Sequence, residues 1–257
     1  MLLATCLIAM AASPPPTAPI NGPQTFNEDF DHLDLTRWTT HFPWGGRYVP
    51  GSKEEEYYVD PGSSLNPFSI KDGILSITAD RATDHAKQLQ GRHYSSGILT
   101  SYSSFAQLYG YFEMRAKMPP GRGLWPTFWL APTDQTWPPE IDVVETVGDP
   151  TKMYATVHYG KPEHHIGFAV DVPDTTAEFH VYGMLWTAEY IAWYFDGRRI
   201  AFTPTPPDLH QKKMYLLVNL AVGGKWPGPP TAQTAFPAKL QIDYIRAYAL
   251  PERQEKP

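Results

Sequence analysis

Cysteine is all but missing from this chain: Cys6 is the only one in 257 residues. A single thiol excludes an intramolecular disulfide, a Cys-ligated zinc site and an iron–sulfur cluster. Charge is scarce as well. Only 19% of residues are charged, and 21 Lys and Arg stand against 27 Asp and Glu, for a net charge of −6. A protein that collects phosphates needs a basic stripe, so the balance argues against nucleic acid and against an anionic membrane surface. The apolar run Leu2–Ala12 has 11 residues, short of the roughly 20 that span a bilayer. No long stretch carries helical periodicity, and no internal repeat is visible. Also absent are a G-x-S-x-G elbow, a Walker loop, a G-x-G-x-x-G turn and an H-E-x-x-H pair.

What is present is aromatic and punctuated. Phe, Trp and Tyr make up 14% of the chain and apolar residues 42%, enough to fill a core. With 27 Pro and 19 Gly the chain is loop-rich, yet below the roughly 25–30% Pro plus Gly of low-complexity sequence. Leu2–Ala12, closed by the small-x-small triplet Ala9-Met10-Ala11, reads as a signal peptide over residues 1–12, although only the terminal amine is positive. Residues 13–24 (SPPPTAPINGPQ) read as a semi-rigid Pro-rich linker, 25–250 as one domain, and 251–257 as a polar tail. The expected location is secreted or periplasmic. Cys6 would leave with the leader, and the mature chain would then hold no thiol.

Within the domain, short alternating runs lie between Gly and Pro: Ile74–Ala79, Ile98–Ser103, Tyr109–Met118, Trp125–Leu130, Glu140–Thr146, Tyr154–Tyr159, His180–Trp186, Ile191–Phe195, Met214–Val222 and Leu240–Tyr248. Asp196-Gly197 suits a two-residue type I′ hairpin turn. Such spacing predicts an all-β, antiparallel sandwich or barrel. Side chains alternate between faces along a strand, so Trp125, Thr127 and Trp129 share one face while Phe128 and Leu130 share the other. Outward tryptophans two residues apart would make a platform for sugar rings. By alternation alone they read equally well as sandwich core.

The run Glu140-Ile141-Asp142-Val143-Val144-Glu145 is more telling. Glu140 and Asp142 share a face, but strict alternation would send Glu145 into the core and Val144 outward. One β-bulge at Val143-Val144 repairs both faults and brings three carboxylates onto one face. Like charges so placed repel one another and are costly without a purpose; a calcium site or a solvated edge is the bland alternative to a catalytic one. Across the bulge the two Glu Cα atoms would lie about 13 Å apart, and side chains leaning together could close to the ~5–5.5 Å of a retaining glycosidase. His158 shares a polar face with Tyr154 and Thr156 beside this strand. Taken alone, a strand histidine is more often structural. His164-His165 reads as a solvated loop, since adjacent residues point apart and no third ligand has metal-like spacing.

At these residues the chain resembles glycoside hydrolase family 16. The resemblance runs through Phe26–Phe30, Leu33–Trp38, Tyr57–Asp60, Asp72–Ala79, Tyr109–Pro132, the acidic strand, Val157–Gly160, Phe179–Trp186, Tyr215–Gly228 and Asp243–Tyr248. It implies a β-jelly roll with a concave substrate cleft, a polysaccharide partner and no cofactor for catalysis; the chain is expected to act as a monomer. By resemblance Glu140 is the nucleophile, Glu145 the acid/base and Asp142 the group that tunes Glu140. Trp125, Trp129 and Trp226 match cleft aromatics, and His158 a histidine beside the acid/base. The resemblance further implies a structural Ca²⁺ on the convex side, held by the carbonyls of Glu28 and Gly73 and by Asp243, an oxygen set suited to that ion.

The bulged spacing is that of the laminarinase-like branch, whose N-x-E-x-Q pattern reads here as Ser52-Lys53-Glu54-Glu55-Glu56. The expected activity is a retaining endo-β-glucanase on β-1,3 or mixed β-1,3/1,4 glucan. The Ser52 and Glu56 departures, with Asn66-Pro67-Phe68-Ser69 and Trp137-Pro138-Pro139, favour as an alternative an endoglycanase of a bacterial exopolysaccharide of the succinoglycan kind. A non-catalytic glucan-binding module is the alternative of another class; such relatives have lost the glutamates that remain here.

Overall fold

Alternation without helical periodicity becomes a two-sheet sandwich. The computed structural model describes residues 22–251; the expected signal peptide, most of the linker and most of the tail lie outside the described residues. The strands are β1 (Gln24–Glu28), β2 (Glu56–Tyr58), β3 (Phe68–Lys71), β4 (Ile74–Arg81), β5 (Tyr94–Ser96), β6 (Ile98–Thr100), β7 (Gly110–Lys117) and β8 (Leu124–Pro132). They continue as β9 (Glu140–Glu145), β10 (Lys152–Tyr159), β11 (His164–Asp171), β12 (His180–Trp186), β13 (Tyr190–Phe195), β14 (Arg198–Pro204), β15 (Met214–Val222) and β16 (Ala238–Tyr248). Three short 3-10 turns are the only helical elements among the described residues.

One sheet runs β14-β13-β12-β7-β16-β4-β5-β2, with β1 added on β16 and β3 on β4; the other runs β11-β10-β9-β8-β15-β6. Sequence-distant strands sit side by side, as a jelly roll requires. The core lies between the sheets. Phe112, Met114, Ile242 and Ile245 from one meet Phe128, Leu130, Ile141 and Val218 from the other, all fully buried. The other face of the six-stranded sheet is the floor of the cleft. A second apolar cluster (Phe42, Tyr58, Ile98, Ala131, Tyr215 and Leu217) packs against Trp129 and secures the loop carrying Phe42 at one end of that floor.

Asp196 and Gly197 have φ of 47° and 75°, the left-handed pair that a type I′ turn needs, and they join β13 to β14. Gly123, at the entry to β8, has φ +79°, and a Cβ there would lie 2.4 Å from the backbone of Pro230. Only glycine permits that approach.

The expected strands are present with ends moved by a few residues; β6 stops at Thr100 rather than Ser103. Six strands were not expected: β1, β2, β3, β5, β11 and β14. Four have three to five residues, too few for alternation to register. The one with a consequence is β11. His164-His165, expected in a solvated loop, open this edge strand, and His165 lies opposite His158 of β10. Its partner sits on another strand, where spacing along the sequence cannot reveal it.

Candidate active site

The bulge is where the alternation required it. Against β8, Thr127 faces Glu145 and Phe128 faces Val144, then the register shifts so that Trp129 faces Asp142. Against β10, Tyr154 faces Glu145, Thr156 faces Asp142 and His158 faces Glu140. Val143 and Val144 both stay fully buried, and all three carboxyls emerge on the cleft face. A bulge disrupts the ladder. The Asp142 carbonyl beside it accepts a 2.8 Å hydrogen bond from Trp193 Nε1 of the opposite sheet, so an indole in the core pins the acidic strand from below.

The acids line a cleft of about 580 Å³ whose walls include Trp125, Trp129, Trp137, Tyr154, His158 and Trp226. Each glutamate accepts from an indole: Trp137 Nε1 donates to Glu140 Oε2 at 3.0 Å, and Trp125 Nε1 to Glu145 Oε1 at 2.9 Å. Thr156 Oγ1 stands 3.5 Å from Glu145 Oε2. His158 Nε2 lies 3.7 Å from Asp142 Oδ2 and 3.9 Å from Glu140 Oε1, while its Nδ1–H donates to Glu163 at 2.8 Å.

Burial pushes all three carboxyls above the ordinary carboxylate range: Glu140 to about 8, with repulsion from Glu145 as the second cause, and Glu145 to about 7. Asp142 is pushed well up, by burial first and then by Glu145 and Glu140. The trio therefore cannot carry three negative charges near neutrality. Burial dictates this proton count but not which glutamate is the acid, since Glu140 is raised at least as far as Glu145. The mutual interaction of Glu140 and Asp142 acts in opposite senses on the neighbouring pair, lowering Glu140 and raising Asp142.

The structure brings every expected cleft residue together. Trp226 stands edge-on to Trp125, ring centres 5.6 Å apart, and to Tyr154 at 4.7 Å. Trp125 and Trp129 face the cleft rather than the core. Trp129 Nε1 donates to Asn219 Oδ1 at 2.8 Å, and Asn219 Nδ2 donates to Tyr58 Oη at 3.0 Å, which fixes the ring.

Sequence reasoning missed several partners: Trp137 as a donor to Glu140, Asn219, Glu163 and Trp193. A lone amide within the apolar run Met214–Val222 was the available signal for Asn219. Of the departures from the family pattern, Ser52 lines the cleft and Glu56 is buried beside Glu54, the glutamate that the pattern keeps; Glu54 accepts from the Val49 N–H and Glu56 from the Val222 N–H. Burial raises both, and the Glu54 charge raises Glu56 further.

The expected calcium residues lie on the other sheet. Glu28 pairs with Ile245 of β16, and its carboxylate turns inward to accept from the Phe30 N–H and Trp38 Nε1. Gly73, at φ +74°, sits against the Asp29 carbonyl. Asp243 pairs with Arg115 at 2.5 Å. The donors are oxygens, as Ca²⁺ prefers, but a cation on Asp243 would compete with that guanidinium.

A model of the family "Glycosyl hydrolases family 16" matches residues 63–246. The chain is 48% identical over 243 residues to endo-1,3-1,4-beta-glycanase EglC of Rhizobium meliloti (strain 1021), covering 88% of this chain and 52% of that protein. It is 45% identical, with the same coverage, to endo-1,3-1,4-beta-glycanase ExsH of the same organism. It thus spans about half the length of these two relatives. Among solved structures, the laminarinase from Rhodothermus marinus superposes with a TM-score of 0.79 at 30% identity, over 91% of this chain and all of that one.

Proposed function

The chain belongs to glycosyl hydrolase family 16, and from that premise we propose that it is a retaining endo-β-glucanase cutting β-1,3 or mixed β-1,3/1,4 glucan. The observation that carries the reading is the bulge at Val143-Val144, which sets Glu140, Asp142 and Glu145 on one cleft face among tryptophans. Three crowded acids, two of them buried, are a lasting cost that a passive binding module has no need to bear.

In the proposed reaction, sugar rings stack on Trp125, Trp129 and Trp226, with His158 beside the acids. The Glu140 carboxylate attacks the anomeric carbon while Glu145 delivers its proton to the departing glycosidic oxygen. The resulting glycosyl-enzyme is cleaved by water, from which Glu145 takes back a proton. As Glu140 passes from carboxylate to ester and back, the Asp142 proton and the Trp137 N–H stabilise its charged form. Hydrolysis would be read by NMR of the first-formed reducing end: the β anomer first supports retention, the α anomer first overturns it.

A second reading has its own observation. The chain is more similar to the two endo-1,3-1,4-beta-glycanases than to the laminarinase, and Glu56 lies buried where the laminarinase pattern has Gln. The substrate in that reading is a bacterial exopolysaccharide with mixed linkages, cut by the same mechanism. Reducing ends released from laminarin, barley β-glucan, lichenan, agarose and succinoglycan separate the two; activity on agarose alone overturns both. Export to the periplasm or medium, a monomeric state and a structural Ca²⁺ at Glu28, Gly73 and Asp243 belong to the same proposal. Cell fractionation, sedimentation and metal analysis test them.

A further inference from the structure

We propose that the cleft rim carries a site for one divalent transition-metal ion of the zinc, copper or nickel class, formed by His158, Glu163 and His165, and that its occupation inhibits the enzyme. The donors come from three directions. His158 and His165 are opposite one another on β10 and β11, with ring centres 5.7 Å apart. The turn joining the two strands returns Glu163, whose Oε1 is 2.8 Å from His158 Nδ1 and 3.7 Å from His165 Nδ1. One ligand atom from each residue lies within 4.8 Å of the other two. Metal–nitrogen and metal–oxygen bonds of about 2.0–2.2 Å need donor atoms somewhat closer than that. The side chains have room to close, since His165 is 64% exposed and Glu163 35%.

The donor set chooses the ion. Two imidazoles and one carboxylate suit zinc, copper or nickel, whereas calcium and magnesium prefer all-oxygen surroundings. His158 also groups with Glu140 and Asp142, but Asp142 is buried and Glu140 is held by Trp137. The rim is open to an incoming ion.

Inhibition follows from what His158 touches on its other side. Its ring packs 5.9 Å from that of Trp137, and Trp137 is the donor to Glu140. An ion on His158 Nδ1 replaces the hydrogen bond to Glu163, draws the imidazole toward the rim and disturbs that indole. It also stands in the cleft mouth, where a polysaccharide must pass.

The test is calorimetric titration of the full chain with ZnCl₂ in a non-chelating buffer, paired with glucanase assays at the same zinc concentrations. Wild type should bind one zinc per chain and lose activity as the site fills. His165→Ala should keep its activity without zinc, bind zinc about tenfold or more weakly, since even outer partners of a metal site cost that much, and resist inhibition in proportion. Glu163→Gln should weaken binding in the same way. Absence of stoichiometric binding to wild type overturns the site. Unchanged binding and inhibition in His165→Ala also overturns it and places the ion on the Glu140–Asp142–His158 group. Saturation of wild type without loss of activity overturns the inhibitory role. The binding measurement stands whether or not the glucanase reading does.

Discussion

Replacing Glu145 by Gln should abolish most activity and make the protein more stable, and the gain should depend on pH in a defined window. Glu145 is buried and raised from an ordinary 4.5 to about 7, chiefly by loss of hydration. A raised acid keeps its proton longer in the folded than in the unfolded chain. Below pH 4.5 both states hold it, and the group costs nothing. Between about 4.5 and 7 the unfolded chain ionises first, so wild type loses about 1.4 kcal/mol per pH unit through this group. Above 7 the penalty levels at about 3 kcal/mol, the product of the 4.5-to-7 shift and that slope. An amide never ionises, and it suits the site: its oxygen can accept from Trp125 Nε1 and its NH₂ can donate to Thr156 Oγ1, the partners the carboxylate has now. For a domain of this size 3 kcal/mol corresponds to roughly 6–12 °C in melting temperature. Melting curves of both proteins from pH 4 to 9 provide the assay. Wild type and Glu145→Gln should coincide near pH 4 and diverge through 7. A constant difference across the range, or a variant less stable at pH 8, would refute the claim that burial of the acid is an electrostatic cost held for function.

If Asp142 acts on Glu140 during the chemistry, Asp142→Asn should lower kcat far more than it raises KM; steady-state kinetics would show it, and a pure KM effect would move Asp142 to substrate binding. Trp193→Phe leaves the buried Asp142 carbonyl without its donor. It should cost about 1–3 kcal/mol in denaturant unfolding and lower kcat although Trp193 never meets substrate; full activity would remove it from the support of the bulge. If Ca²⁺ displaces Arg115 from Asp243, EDTA should lower the melting temperature and Ca²⁺, but not Mg²⁺, restore it. An unchanged melting temperature in saturating EDTA counts against that site.

The cleft was legible where a periodicity was broken. Glu145 falls on the core side of a simple alternation, and that single fault located the bulge between Val143 and Val144, where the register now shifts. Alternation in β8 left open whether Trp125 and Trp129 or Phe128 and Leu130 faced the core, and only the acidic strand beside it tipped the choice toward outward tryptophans. Partners joined across the fold left no such trace. Trp193 is 51 residues from the carbonyl it satisfies, and it reads in sequence as one more apolar strand residue. His165 reads as loop because its strand is an exposed edge whose pairing with His158 is fixed by the register of β10 and β11. Trp137 was recognisable as a loop aromatic, but its hydrogen bond to Glu140 depends on the path of the Pro138-Pro139 segment. Alternation reports which way a side chain points relative to its own strand and carries no information about what arrives from the other side.

The division of labour between Glu140 and Glu145 is tested most directly by azide rescue of the two alanine variants on an activated β-glycoside. If Glu140 is the nucleophile, Glu140→Ala leaves a hole on the α face, and azide entering it should give an α-glycosyl azide by one inversion. Glu145→Ala keeps the nucleophile, and a good leaving group needs little help from an acid. Its glycosyl-enzyme should be trapped from the β face, giving a β-glycosyl azide by two inversions. Proton NMR of the products reads the two anomers. An α product from Glu140→Ala and a β product from Glu145→Ala is the predicted result; the reverse pairing, or full activity of either variant without azide, would contradict it.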